Sequence, residues 1–376
     1  MKTVRFLHTS DWQLGARFGW IAGDKGALLR AERLAAVERI GEMAGRHEVD
    51  FVIVCGDLFD AHTIDNEVVT RSLEMLGRFP VPVFAIPGNH DFAGAPESVY
   101  KRRRFADRCP DNFHVLDAAL PLALDGLPVT LLPCPLIRRH TVEDPTRWLR
   151  SDAAGSEAGQ IRIALAHGSV LDFDSESSGV APNLIDAAVA EEASLDYLAL
   201  GDWHGARQIS EKVWYSGTPE PDRFKDNQSG HVLLVEIDRP HAMPRIQVEP
   251  SSGCSWIRHD AALYSEEDVT ALERWFADLP SPQKTLVRLE CRGVLGMKAK
   301  LRLDWLLETQ AELLLHLRKR GTEVLLRPTD EELTALGSHG LTGRVADSLK
   351  VLANREGEEG KVAGLSLQLL FQMMQG

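Results

Sequence analysis

The stretch that decides the fold is Val81-Pro82-Val83-Phe84-Ala85-Ile86-Pro87-Gly88-Asn89-His90-Asp91. It begins as an apolar run typical of a buried strand and ends in a tight polar loop. Four other short apolar runs end in the same way. Residues 4–7 lead into His8-Thr9-Ser10-Asp11-Trp12-Gln13, residues 51–55 into Gly56-Asp57, residues 161–166 into His167-Gly168, and residues 197–200 into Gly201-Asp202-Trp203-His204.

These five loops together carry residues of the kinds that bind metal ions. Any one of them alone would be weak evidence, because Gly and Asp commonly end strands and an Asp there is usually a turn or cap residue. Together they carry Asp, Asp, Asn-His, His and His in chain order. Carboxylates, amide oxygens and imidazoles suit a pair of divalent transition metals better than they suit a thiolate-rich zinc site.

Six motifs resemble those of the calcineurin-like metallophosphoesterases, and within them the DNA-repair exonucleases of the bacterial nuclease and Mre11 type. The Gly-Asp and Gly-Asn-His-Asp motifs are specific for the superfamily, and Tyr-Ser-Gly-Thr-Pro narrows the resemblance toward the exonuclease branch. The resemblance extends from Met1 to about Phe224. The motifs are Asp11-Trp12-Gln13-Leu14-Gly15, Gly56-Asp57-Leu58-Phe59-Asp60, Gly88-Asn89-His90-Asp91, His167-Gly168, Gly201-Asp202-Trp203-His204 and Tyr215-Ser216-Gly217-Thr218-Pro219.

The resemblance implies a centre of two divalent ions and assigns its ligands. Mn²⁺ is the favoured metal, with Mg²⁺ as the alternative. Such a pair can activate a hydroxide and stabilise in-line displacement at phosphorus. By resemblance, Asp57 bridges the ions, Asp11, Gln13 and His204 bind one of them, and Asn89, His167 and Asp202 bind the other.

The resemblance also implies which residues act on the substrate. His90 is expected to be a non-ligand that assists the leaving oxygen, with Asp57 and Asn89 as the other catalytic residues. Two ligand positions depart from the family pattern, which has His where this chain has Gln13 and His where it has Asp202. An amide oxygen and a carboxylate can both bind metal, so loss of the site does not follow.

Composition limits the class of protein. The chain has 376 residues, 44% of them hydrophobic, and a net charge of −13, which argues against a protein that coats nucleic acid indiscriminately. No apolar stretch approaches the roughly 20 residues of a membrane span, and the N-terminus has no signal core, so a cytoplasmic location without membrane association is expected. Five dispersed cysteines fit neither a disulfide framework nor a zinc ribbon.

A basic run stands out against the acidic average. Lys101, Arg102, Arg103 and Arg104 follow the Gly-Asn-His-Asp motif by about ten residues, where a polyanion entering the site could meet them. A solvated helix face explains the run equally well.

The alternation of strands and helices predicts an α/β fold, with helices over residues 27–44 and 67–78. The family resemblance makes this a sandwich of two mixed β-sheets flanked by helices, with a smaller α+β capping domain that contacts DNA. The expected domains are 1–238 (catalytic), 254–330 (capping) and 331–376 (a C-terminal helical segment). Within the capping domain, a helix is expected from about residue 303 to 317, ended by the cationic run Arg318-Lys319-Arg320-Gly321.

Three functions agree with these features. The leading one is a metal-dependent DNA exonuclease or phosphodiesterase that works in DNA repair beside a coiled-coil, SMC-like ATPase, as family members do. The second is a phosphodiesterase or phosphatase for small molecules or nucleotides, which the same site would serve. The third is a weakly active or non-catalytic DNA-binding scaffold protein. A homodimer is left open.

Overall fold

A computed structural model gives the architecture of the chain. It describes residues 3–375 apart from residues 22, 156–158, 171–181, 226, 322, 328, 330–331, 333–340, 354 and 356. The chain divides into two compact units, Met1–Cys254 and Ser255–Gly376. No helix in the described residues is long and apolar enough to cross a membrane.

The described residues of the first unit form fourteen strands and four α-helices. The α-helices are α1 (Asp24–Arg46), α2 (Asn66–Leu76), α3 (Arg103–Ala106) and α4 (Val189–Glu192). The strands are β1 (Val4–Thr9), β2 (Phe51–Cys55), β3 (Val83–Ile86), β4 (Phe113–Val115), β5 (Leu122–Ala123), β6 (Val129–Cys134), β7 (Ile161–His167), β8 (Ser169–Val170), β9 (Leu184–Ile185), β10 (Tyr197–Gly201), β11 (Arg207–Gln208), β12 (Val213–Tyr215), β13 (His231–Ile237) and β14 (Arg245–Pro250).

Two six-stranded mixed sheets form the body of this unit. The first has the order β14-β13-β1-β2-β3-β4, with β1 to β4 parallel and with β13 antiparallel to both β1 and β14. The second has the order β11-β12-β10-β7-β6-β5, with four parallel central strands and two antiparallel edges. The predicted pair of mixed sheets flanked by helices is confirmed.

The core explains why the strand sequences are apolar throughout. Phe51, Ile53 and Cys55 of β2 lie in the layer between the two sheets, whereas Val52 and Val54 lie in the layer beneath α1 and α2. Both faces of the sheet are therefore buried, as expected for parallel strands covered by helices. The predicted helices over residues 27–44 and 67–78 are confirmed as α1 and α2.

The second unit contains a four-stranded sheet in which all the pairings are parallel. Strand β16 is long enough for β17 to pair with its first half and β18 with its second half, while β15 pairs with its other edge. Helices α5 and α6 pack on this sheet around one apolar core. The elements are β15 (Ser255–Leu263), α5 (Glu266–Ala277), β16 (Thr285–Leu295), α6 (Met297–Leu313), β17 (His316–Lys319), β18 (Glu323–Leu326), α7 (Leu341–Ala353) and α8 (Glu358–Gln375).

The helix predicted over residues 303–317 is wrong in its bounds. Helix α6 begins at Met297 and ends at Leu313, and Leu314 already has an extended backbone. Residues 316–319 form β17 because the edge of β16 offers them a parallel backbone partner, and this tertiary pairing overrides local helix propensity. The cationic run therefore belongs to a strand and the turn after it.

Two predicted segments contain regular structure of their own. Residues 239–253, where the sequence indicates a boundary, include β14, which pairs with β13 from His231↔Pro250 to Glu236↔Arg245. Residues 331–376 include α7 and α8, while residues 333–340 lie outside the described part of the chain.

Candidate metal centre

The loops that follow β1 and β2 continue the pairing of the two strands beyond their ends. Asp11 N donates to the Gly56 carbonyl at 3.0 Å, and Gln13 N donates to the Asp57 carbonyl at 2.8 Å. The register of two parallel strands thus places Asp11 beside Asp57.

The second sheet delivers His167 to the same point. One ligand atom from each of Asp11, Asp57 and His167 lies within 4.8 Å of the other two, and all three residues are buried. His167 Nδ1 lies 2.8 Å from the Cys55 carbonyl, so Nδ1 carries the proton and Nε2 faces the cluster. That Nε2 lies 3.6 Å from Asp57 Oδ1 and 3.1 Å from Asn89 Oδ1.

The remaining predicted ligands surround this group. Asp202 Oδ1 lies 3.8 Å from His167 Nε2. His204 Nε2 lies 3.8 Å from Asp11 Oδ1 and 3.4 Å from Gln13 Nε2. All seven predicted ligand side chains are therefore neighbours at the carboxyl ends of the strands.

Four of these residues have a left-handed backbone, which non-glycine residues rarely adopt. The φ angles are 52° at Asp11, 44° at Gln13, 54° at Asp57 and 97° at Asp202. Each such residue costs about 1–3 kcal/mol and persists only where its surroundings enforce it, which occurs most often at functional sites. Four of the seven predicted ligands thus lie in strained backbone at the carboxyl ends of the strands.

Two glycines allow the loops to approach each other this closely. A Cβ on Gly88 would lie 2.2 Å from Asp57 Oδ1, and one on Gly56 would lie 2.2 Å from His167 Nδ1. A side chain at either position would displace the ligand that the glycine now contacts. The glycines of the Gly-Asp and Gly-Asn-His-Asp motifs are thus part of the site's packing.

The residues present fit a bound cation. Asp11 Oδ1 is buried and has no hydrogen-bond partner in the described part of the chain. Burial, and then the nearby carboxylates of Asp91 and Asp11, raise the pKa of the Asp57 carboxyl. Burial opposes charging of His167, but Asp57, Asp11 and Asp202 raise its pKa all the same. This buried group therefore attracts positive charge, and oxygens and imidazole nitrogens are what a divalent metal needs.

His90 and Asp91 have different surroundings. His90 Nδ1 lies 2.7 Å from the Asp60 carbonyl, and its Nε2 lies 3.9 Å from Asp57 Oδ2, on the accessible side of the cluster. Asp91 is buried and accepts hydrogen bonds from Gly88 N at 2.7 Å and Phe59 N at 3.1 Å. Asp91 therefore connects the loop after β3 to the loop after β2.

The Tyr-Ser-Gly-Thr-Pro stretch holds the ligand loops in place. The Tyr215 hydroxyl donates to the Gly168 carbonyl at 2.7 Å, directly after His167. Ser216 Oγ lies 2.9 Å from Ser10 Oγ, which donates to Asp11 Oδ2 at 2.6 Å. This motif, which the sequence links to the exonuclease branch, thus holds the loops of Asp11 and His167 through hydrogen bonds.

Two residues at the site were missed from the sequence. Arg33 of α1 is buried and donates to the Trp12 carbonyl at 2.8 Å, within the loop that carries Asp11. Asp222 Oδ2 lies 3.1 Å from His204 Nδ1. Burial opposes ionisation of Asp222, but its contacts with His204 and Arg223 hold its pKa well below the usual range. Neither residue has a sequence signal, since Arg33 reads as helix surface and Asp222 as part of a polar turn.

The four residues of the predicted nucleic-acid-binding run have different contacts in the structure. Lys101 Nζ donates to the Ala95 carbonyl at 3.3 Å, and the Arg102 guanidinium donates to the carbonyls of Ile64 and His62. Arg103 and Arg104 are exposed, and Arg103 pairs with Asp107 one helical turn on, at 3.4 Å. Two of the four cations are thus used to hold the surrounding loops.

Comparisons with known proteins agree with this geometry. The model of the calcineurin-like phosphoesterase family matches residues 4–206. The chain is 27% identical over 315 residues to the SbcD component of the nuclease SbcCD of Escherichia coli K12, covering 72% of this chain and 74% of that protein. It is 24% identical over 262 residues to the DNA double-strand break repair protein Mre11 of Methanopyrus kandleri, covering 63% of this chain and 54% of that protein.

The family match covers more than half of the chain and spans the loops that carry Asp11, Asp57, Asn89, His167 and His204. Those side chains lie together at the carboxyl ends of strands from two mixed sheets, and three of them, Asp11, Asp57 and His167, could hold a metal ion. The chain belongs to the calcineurin-like phosphoesterase family.

Proposed function

We propose that the protein is a divalent-metal-dependent phosphodiesterase that hydrolyses DNA as an exonuclease. The observation that carries the proposal is the buried group of Asp11, Asp57 and His167, whose ligand atoms lie within 4.8 Å of one another. The similarity to a nuclease component and to a double-strand break repair protein supports DNA as the substrate.

Each ligand has a place in this mechanism. Asp57 would be shared between two ions, with Asp11, Gln13 and His204 on one side and Asn89, His167 and Asp202 on the other. When bound, the metals would supply Lewis-acid polarisation of the phosphoryl oxygens and activation of a water molecule. With only two imidazoles among the seven side chains, the set favours Mn²⁺ or Mg²⁺ over Zn²⁺.

His90 would move a proton during the reaction. The Asp60 carbonyl accepts from Nδ1, which leaves Nε2 directed to the accessible side of the cluster. A protonated His90 could donate from Nε2 to the leaving oxygen, while Asn89 and Asp57 would hold the ions that bind the reacting phosphate. His90 N also donates to Asp57 Oδ1 at 2.9 Å, so proton donor and shared ligand are held together by the backbone.

The wider biological setting follows from the relatives. The name of the E. coli relative describes one subunit of a nuclease, which supports a further subunit for this chain as well. From the family resemblance, we propose that this subunit is an SMC-like ATPase. Residues 1–238 would form the catalytic domain and residues 254–330 a DNA-contacting domain in a cytoplasmic repair complex, whether or not the chain is also a homodimer. Lys101, Arg102, Arg103 and Arg104 would add to DNA binding chiefly through Arg103 and Arg104, which are exposed.

The decisive experiment offers several substrates to one preparation. The purified protein with Mn²⁺ is incubated in parallel with end-labelled duplex DNA, single-stranded DNA and a small chromogenic phosphodiester, and Asp57→Ala serves as the inactive control. We expect hydrolysis of DNA and of the small ester, with both activities absent from Asp57→Ala. Hydrolysis of the small ester without cleavage of DNA would overturn the nuclease assignment.

A further inference from the structure

A loop that follows β6 contacts the segments that carry two of the predicted metal ligands. Residues 137–141 follow β6 and run alongside the segment that carries Asn89 and His90. Ala93 N donates to the Leu136 carbonyl at 2.9 Å, and Gly94 N donates to the Ile137 carbonyl at 3.0 Å. A Cβ on Gly94 would lie 2.2 Å from that carbonyl oxygen, so the two segments are in direct backbone contact.

The other side of the loop is attached to the segment that follows His167. Asn183 is buried, and its side chain donates to the Arg139 carbonyl at 3.1 Å and accepts from Thr141 N at 2.8 Å. The Asn183 carbonyl in turn accepts from Ser169 N at 3.2 Å. The loop is therefore held between the two segments that deliver Asn89 and His167, and its position relative to them is set by backbone contacts.

This loop carries two adjacent arginines between the segments that bear Asn89 and His167. Arg138 and Arg139 are exposed, and neither forms an ion pair with any residue that the structure describes. The net charge of −13 disfavours the approach of a polyanion, so cations near the site would assist its binding. Lys101 and Arg102, in contrast, already donate to backbone carbonyls.

We propose that Arg138 and Arg139 form a phosphate-binding site that holds the strand next to the scissile phosphodiester. The site rests on the proposed function, because it takes a nucleic-acid backbone as its ligand. Arg is suited to the task because its planar guanidinium can bind two phosphate oxygens at once.

The test compares two double variants that lose the same charge. Arg138→Ala/Arg139→Ala removes the proposed site, and Arg46→Ala/Arg239→Ala removes two exposed arginines near the opposite end of the first sheet. The first variant should bind a labelled single-stranded oligonucleotide about tenfold or more weakly, and its log-log salt slope should fall by roughly 1.4, or about 0.7 per phosphate contact. The second variant should bind as wild type does, and both should hydrolyse the small phosphodiester at the wild-type rate.

The outcomes separate this site from the proposed function. If wild type binds DNA and the first variant does not, the arginine site stands even if Mn²⁺ supports no DNA cleavage, a result that would overturn only the nuclease assignment. Equal losses in both double variants, equal losses on DNA and the small ester, or no DNA binding by wild type would each overturn the arginine site.

A second inference comes from an independent observation at His204. Asp222 Oδ2 lies 3.1 Å from His204 Nδ1, and the Asp222 side chain is only 12% exposed. Arg223 holds the same carboxylate with two hydrogen bonds, at 2.9 Å to Oδ1 and 2.7 Å to Oδ2. The other ring nitrogen, Nε2, faces Asp11 and Gln13.

The geometry points to Asp222 as a positioning residue for His204. A carboxylate at Nδ1 favours the tautomer with the proton on Nδ1, which leaves the lone pair of Nε2 directed at the site. This inference rests on His204 being a ligand. It predicts that Asp222 acts on one of the two ions, through His204, without touching either ion itself.

The test measures metal binding directly, by calorimetric titration with Mn²⁺. Asp222→Ala should weaken the binding of one ion about 10- to 100-fold, which is typical for loss of such a partner. The other ion should be unaffected, and His204→Ala should weaken the same ion. Asp222→Glu should recover part of the affinity, and Asp238→Asn, which changes an exposed carboxylate of the same unit, should change neither ion.

The ¹⁵N resonances of His204 in metal-free protein provide a second readout, because they report the tautomer. If Asp222→Ala is poorly folded, the isosteric Asp222→Asn is used for both measurements. Wild-type Mn²⁺ binding together with an unchanged tautomer would overturn the inference. Parallel loss of both ions would do so too, since it would assign Asp222 to the stability of the fold.

Discussion

The two halves of the metal centre differ in how completely the fold has arranged them. In the His167 half, the ring is fully buried, the Cys55 carbonyl holds Nδ1, and the Asn89 amide oxygen lies 3.1 Å from Nε2. In the His204 half, two nitrogens face each other, because Gln13 Nε2 lies 3.4 Å from His204 Nε2. Gln13 must turn its amide to present the oxygen to an ion. The His167 half is thus already arranged to bind an ion, whereas the His204 half first requires the Gln13 amide to turn.

The largest effect is expected at Asp57, the residue that we propose both halves share. Asp57→Ala removes the common ligand, and Asp57→Asn removes the shared negative charge. Either change should lower kcat/KM for a small phosphodiester about 10³-fold or more, a loss of at least ~4 kcal/mol in transition-state stabilisation. Steady-state kinetics with Mn²⁺ and circular dichroism measure activity and fold separately. Wild-type activity in Asp57→Ala would contradict the proposal that two ions share Asp57, and the comparison of the two halves would no longer hold.

His90 should have the next largest effect while leaving both halves intact. Its Nε2 is 3.9 Å from Asp57 Oδ2, and it is assigned to proton transfer. His90→Asn should therefore lower kcat about 10²- to 10⁴-fold, the usual range for loss of a general acid. Mn²⁺ stoichiometry and affinity, measured by calorimetry, should stay at the wild-type values. If the variant bound one ion fewer, the result would show that His90 is a metal ligand.

Gln13 offers a way to make the two halves more alike. Gln13→His places a second imidazole in the His204 half, and nitrogen ligands favour Zn²⁺ over Mn²⁺. The affinity for Zn²⁺ relative to Mn²⁺ should rise about tenfold, as measured by competition between the two metals. Asn112→His, remote from the centre, is the control for the added imidazole. An unchanged ratio would show that residue 13 is not a ligand.

The smallest expected effect concerns Asp202 in the His167 half. Its Oδ1 lies 3.8 Å from His167 Nε2, while its Oδ2 accepts from Ser169 Oγ at 2.9 Å. Asp202→His removes one negative charge, and the more positive centre favours ionisation of the attacking water. The acidic limb of the pH-rate profile should move to lower pH, by less than about one unit. A limb that is unchanged or moves to higher pH would assign Asp202 to the support of Ser169.

The sequence by itself determined the parts of the site that depend on interactions between residues close together in the chain. Apolar runs ending in Gly-Asp, Gly-Asn-His-Asp and His-Gly place Asp57, Asn89 and His167 at the carboxyl ends of buried strands, because strand length and turn chemistry are local properties. The convergence of the loops then follows from parallel pairing within each sheet. The same local logic located α1 and α2 to within a few residues.

Only the tertiary structure decided the contacts between segments that are distant in the chain. The placement of Asp222 at His204 Nδ1, of the Arg138 loop against Ala93 and Gly94, and of residues 316–319 on the edge of β16 depends on how whole elements pack. Packing is a sum over many weak contacts that no local pattern encodes. The residue types at the centre could therefore be predicted from the sequence, whereas their supports and the difference between the two halves could not.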